Sequence, residues 1–129
     1  MKCEQKAAGE PRTLGGVLVY VCDGRGPPLA SERDAADIIG DAFGSGAKVV
    51  VIPIERLGPG FLALSTRIAG EVIQKFVNYG FRVVFLGDVS AAVAESRALR
   101  DFIHESNRGR HVWFVTNVLA LESRLAAEA

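Results

Sequence analysis

Val49-Val50-Val51-Ile52-Pro53-Ile54 is the stretch on which the fold turns. Positions 49 to 52 are all apolar and all β-branched. A run without alternation belongs to a strand covered on both faces, as in a parallel sheet, and not to a strand with one wet side. Val17–Cys22, Arg82–Gly87 and His111–Val115 have the same character, and Pro28-Leu29 could add a short edge strand. Helical patterns lie between the runs. Ser31-Glu32-Arg33-Asp34 is an N-terminal capping signature, with Ser31 as N-cap and Asp34 at N3. The helix it opens is expected to bury Ala35, Ile38, Ile39, Ala42 and Phe43 and to stop at Gly44-Ser45-Gly46. A second helix is expected from Ser65 or Thr66 to Asn78, with Ile68, Val72 and Phe76 in an i, i+4 row and Gly80 just past its end. Residues 91–107 read as one largely helical stretch burying Leu99, Phe102 and Ile103. Asn117 then caps a last helix carrying Val118, Leu121 and Leu125.

Strands alternating with helices over short connections predict an α/β fold. The expected form is a single three-layer domain, with a mostly parallel sheet of four or five strands flanked by helices and joined by right-handed crossovers. A chain of 129 residues is one domain in length and buries roughly two-thirds of its unfolded surface. Residues 1–13 show no periodicity and read as a flexible polar tail before a domain spanning 14–129. Apolar residues make up 49% and charged residues 23%, which excludes a disordered chain. Fifteen basic residues balance fifteen acidic ones, so neither nucleic acid nor an anionic membrane is an expected partner. No apolar segment follows the charged start, and none approaches the roughly 20 residues of a membrane span, so a cytoplasmic location is expected. Cys3 and Cys22 form no Cys-x-x-Cys pair. No metal or other cofactor is expected, and Cys22 reads as a small buried apolar group.

In parallel sheets, ligands sit beyond the carboxyl ends of the strands. That places the site in residues 53–66 and 87–96. Ser65 and Thr66 stand where the loop becomes a helix; either hydroxyl suits an N-cap, and the helix start also suits a phosphoryl group. Asp88 and Ser90 follow the third strand, either as an Asx- or Ser-type turn or as groups facing a ligand. A small-molecule or enzyme reading takes Glu55, Arg56, Thr66, Asp88 and Arg97 as polar contacts, with Phe61 and Leu62 as a lid. Arg97, Arg100, Arg108 and Arg110, with His104 and His111, are the one basic concentration. Glu95, Asp101 and Glu105 are interleaved with them, and Arg97 to Asp101 has ion-pair spacing. Asn107-Arg108-Gly109-Arg110 falls at the opposite end of the sheet, as a helix cap and turn whose arginines could grip a partner's carboxylates. Asp23-Gly24-Arg25-Gly26-Pro27 lacks the pattern of a nucleotide loop and reads as a turn. There is no Gly-x-Ser-x-Gly elbow, so no hydrolase triad is supported.

Three stretches carry a family likeness: residues 61–79 (Phe-Leu-Ala-Leu-Ser-Thr-Arg-Ile through Phe-Val-Asn-Tyr), Val84-Phe85-Leu86-Gly87-Asp88-Val89-Ser90, and residues 99–110. Together they resemble the bacterial domain-of-unknown-function family 4180, over roughly residues 17 to 121. Relatives usually carry an acid where this chain has Ala63, a glycine at Arg67 and a serine at Ala98. The element order also looks like that of STAS domains, the fold of anti-sigma-factor antagonists. That likeness implies a serine or threonine phosphorylated at the start of the second helix, the place of Ser65 and Thr66, although the usual Asp-Ser-Ser-Gly surrounding is absent. The leading expectation is therefore a non-enzymatic regulatory or protein-interaction module. Its partner would be another protein, with a homo-oligomer also considered. The alternative is a small-molecule binder or enzyme using the carboxyl ends of the strands.

Overall fold

The computed structural model describes residues 9–128. Its first element begins inside the expected tail. Gly9–Leu14 form β1, paired antiparallel with β2 (Val17–Cys22) in the register Gly9↔Cys22 to Leu14↔Val17. The turn is Gly15-Gly16, with φ of 58° and 82°. Two consecutive positive φ values match the twist of a hairpin, and glycine adopts them without a Cβ penalty. Gly15 also lies so close to the last helix that a Cβ there would stand 2.5 Å from the Glu122 carbonyl oxygen. Residues 9–13 of the expected tail are thus strand, and its residues 1–8 lie outside the described residues.

β3 (Val49–Pro53), β4 (Arg82–Leu86) and β5 (Val112–Val115) continue parallel to β2, and the sheet order is β1-β2-β3-β4-β5. Leu29 contributes only an isolated parallel bridge to Leu57, so the expected extra strand is a single pairing. In a sequential order, crossovers of one hand put all their helices on one face. α1 (Glu32–Ser45), α2 (Ile68–Asn78) and α4 (Arg97–Arg108) pack there, over Tyr20, Val50, Ile52, Val83, Phe85 and Phe114. α5 (Val118–Glu128) covers the other face, where Leu121 and Leu125 meet Val19, Val49, Val51, Val84 and Trp113. Helices on both faces make the expected three layers, with alternate strand residues feeding the two cores.

Local chemistry explains the element ends. The Ser31 hydroxyl accepts the Asp34 N–H at 3.3 Å as the N-cap of α1, and the Asp34 carboxylate accepts the Ala30 N–H at 2.9 Å. The Asn117 side chain accepts the Ala120 N–H at 2.8 Å and opens α5. The single helix expected over 91–107 is two. α3 (Ser90–Glu95) stops at Ser96, which has extended backbone, and the Ser96 hydroxyl accepts the Leu99 N–H at 3.1 Å to start α4. Phe43, expected in the core, is 52% exposed and packs edge-on against Phe81 and Tyr79.

Both sheet edges are guarded. β1 carries Pro11 between Glu10 and Arg12, which discourages further pairing. On β5, the Asn107 amide accepts the Phe114 N–H at 2.7 Å and donates to the Phe114 carbonyl at 3.2 Å, in the place of a neighbouring strand. Cys22 is buried as expected, and desolvation pushes its thiol pKa up to about 12, so it remains protonated and unreactive at neutral pH.

Candidate functional site

Beyond β3 the chain makes one 3₁₀ turn (Ile54–Arg56), loops outward, makes a second (Leu64–Thr66) and enters α2. Beyond β4 it passes through Gly87 to Asp88 and α3. Gly87 has φ of 144°, and a Cβ there would lie 2.6 Å from Ile54 Cγ1, so glycine lets the two loops lie together. Between them is an open depression of about 370 Å³, its walls formed by Ile54, Leu57, Leu62, Val89 and Ala92, with Asp88 as its charged group. It lies where the parallel-sheet rule puts a site.

The hydroxyls at the start of α2 differ sharply. Thr66 Oγ1 lies 2.8 Å from both the Gly60 and Ala63 carbonyl oxygens, and it accepts the Ile68 N–H at 3.3 Å. That last contact satisfies one first-turn donor of the helix, as expected of an N-cap hydroxyl. The N-cap position itself belongs to Arg67, whose side chain makes no capping bond. Ser65 is exposed and makes no side-chain hydrogen bond with a described residue.

Arg67 has φ of 66° and is the one non-glycine residue with positive φ among those described. A Cβ in that region costs about 1–2 kcal/mol. Arg67 therefore carries a backbone penalty that a glycine would not. Arg67→Gly is expected to raise stability by about 0.5–1 kcal/mol in a urea titration. Equal or lower stability would contradict the assigned backbone.

Asp88 Oδ1 accepts the Ser90 N–H at 2.8 Å, the Asx turn considered from sequence, and these Ser90 hydrogen bonds hold its carboxyl below the usual aspartate range. Both residues are exposed. Glu55 is exposed on the first 3₁₀ turn and does not line the depression. Arg97 and Arg100 are exposed on α4, away from its lining, and the Arg97–Asp101 ion pair is not formed. Phe61, expected as a lid, is 1% exposed and packs on Phe85 at 5.5 Å between ring centroids; Leu62 is half-buried.

Arg56 differs most from its sequence reading. It is 3% exposed, and its guanidinium donates to the Pro27 carbonyl at 2.7 Å and the Asp23 carbonyl at 2.9 Å. Its own carbonyl accepts the Leu29 N–H at 2.6 Å. The guanidinium fits because residue 26 is glycine; a Cβ there would be 2.7 Å from Arg56 Cζ. Arg56 thus ties the Asp23–Leu29 loop to the end of β3. The distance of 33 residues to Asp23 left no local signal of this. Among the described residues, no group of three or more His, Cys, Asp or Glu side chains is placed to hold a metal ion. No helix among them is long and apolar enough to cross a membrane.

The fold is that of a single-sheet α/β domain with an open, apolar depression at the carboxyl ends of its strands. The chain belongs to the family described as Domain of unknown function (DUF4180), whose model matches residues 14–125. No curated protein and no solved structure matches it.

Proposed function

We propose that this chain is a non-enzymatic regulatory module that docks another protein on the carboxyl-end depression and is switched by phosphorylation at Ser65. The observation that carries the reading is the character of that surface: it is open and apolar, with Asp88 as its one charged lining residue. Small-molecule and catalytic sites enclose a ligand and converge several polar groups upon it. An open apolar surface edged by polar residues suits a protein partner. The alternating element order supports the likeness to STAS domains on which the switch rests.

The hydrogen bonding favours Ser65 over Thr66 as the switch. Phosphorylating Thr66 would remove the donor shared by Gly60 and Ala63, and so disturb the loop itself. A phosphoryl group on exposed Ser65 would add a charge near −2 without breaking an internal bond. Its repulsion and desolvation cost would oppose docking. Leu62→Asp and Ser65→Asp are each expected to lower recovery of the native partner about tenfold, whereas Ser65→Ala leaves it within about twofold. Quantitative co-purification from the native host reads this. Equal recovery with all three variants would overturn the proposal, as would a small molecule released on denaturation.

A further inference from the structure

We propose that the amino ends of β2 to β5 form a second binding site, for a short acidic segment of a partner protein held in extended form. This site is independent of the carboxyl-end surface and survives if that reading fails. An open depression of about 460 Å³ runs across this end of the sheet. Its floor is apolar, from Val17, Val49, Val77 and Phe81; its polar lining is Lys48, Arg82, Arg110 and His111, with no carboxylate among the lining residues.

The charge here is in excess. Arg82 and Arg110 share one oxygen of Glu128, at 3.3 and 3.4 Å. Lys48 is exposed and forms no ion pair with a described residue. Three cations therefore have one acid between them. α1, α2 and α4 also end here, and their partial negative charges attract cations. On α2 and α4 that role falls to cations of the helices themselves, Lys75 and Arg108 in their last turns, the latter already paired with Glu105 at 3.4 Å; the last turn of α1 carries no basic residue. Lys48 and Arg82 instead stand at or just before strand starts, and Arg110 two residues before β5. The arginine pair considered from sequence is thus replaced: Arg108 turns to its own helix, and Arg82 joins Arg110.

Size and surroundings argue for an extended peptide. The amino ends of four strands spaced about 4.8 Å apart span about 14 Å, the length of four to five extended residues at about 3.3 Å each. Beside the groove, Phe43 and Tyr79 are 52% and 50% exposed, packed edge-on to each other, which suits an apolar side chain among the acids. Arginine forks and a lysine over an apolar floor recognise glutamate or aspartate next to such a side chain.

Trp113 supplies a reporter. It is the single tryptophan, fully buried, and the Arg82 guanidinium lies 4.6 Å above its ring. The probe is a blocked Glu-Phe-Glu-Glu peptide titrated into the full-length protein at low salt, read by tryptophan emission. The expected result is a saturable change that weakens about tenfold or more in Lys48→Glu and as salt rises. Arg25→Glu, distant on the β2–α1 loop, should bind like the parent, as should Leu62→Asp. A circular dichroism melt confirms that Lys48→Glu, at an exposed position, remains folded. Absence of saturable binding would overturn the proposal. So would equal affinity in Lys48→Glu, or a single-stranded oligonucleotide of equal charge binding as tightly as the peptide.

Discussion

Trp113→Ala is expected to cost about 3–5 kcal/mol, enough to lower the melting temperature by more than about 10 °C in a domain of this size. Trp113 is fully buried on the face that a single helix covers. Arg124 lies 3.9 Å and Arg82 4.6 Å from its ring centroid, and its indole N–H donates to the Gly109 carbonyl at 2.9 Å. The side chain thus joins β5, β4, α5 and the loop after α4. Arg124 also donates to the Asn107 carbonyl, and Asn107 is the residue that guards the β5 edge. Truncation removes apolar contact, two cation–π contacts and a part-buried hydrogen bond together. Trp113→Phe keeps most of the contact area and loses the N–H, so its expected cost is about 1–2 kcal/mol. Urea titrations separate the two variants; equal losses would show that the hydrogen bond, and not the packing, holds this face together.

Arg56→Ala is expected to be nearly as severe, at about 3 kcal/mol or more. The substitution strips donors from the Asp23 and Pro27 carbonyls in two part-buried hydrogen bonds and leaves a void beside Gly26. Arg56→Lys should recover only part of the loss, because an ammonium lacks the planar fork that reaches two carbonyls at once. The damage should be local first. Limited proteolysis is expected to cut Arg56→Ala within residues 23–29 well before the parent. A variant that is as stable and as resistant as the parent would refute the assigned role of the guanidinium.

What could be read from the sequence depended on how local its cause was. The four parallel strands were legible because burial on both faces leaves an unbroken apolar run. The caps at Ser31 and Asn117 were legible because their bonds span three residues. β1 was not, since an edge strand shielded by Pro11 and charges has no apolar alternation to show. Its one signal was the Gly15-Gly16 pair, a hairpin turn in its own right. The break at Ser96 was hidden because helix-forming residues stand on both sides, and a serine there reads equally well as interior or cap. The site's location followed from parallel-sheet topology alone. Asp88 and Leu62, both named from sequence, do line it, but other side chains went elsewhere: Arg56 serves a loop 33 residues away, Phe61 the core, and Thr66 its own turn. Such side chains get their roles from tertiary neighbours, and residue type and spacing carry no record of those.

The proposed docking surface is tested most directly by photo-crosslinking in the native host. A photoreactive phenylalanine replaces Leu62 at the depression in one strain and Leu119 in another; Leu119 is 76% exposed on α5, over the opposite face of the sheet. The expected result is a discrete protein adduct from position 62, absent from position 119 and diminished by Ser65→Asp. Adducts of equal yield from both positions, or none from position 62, would contradict it.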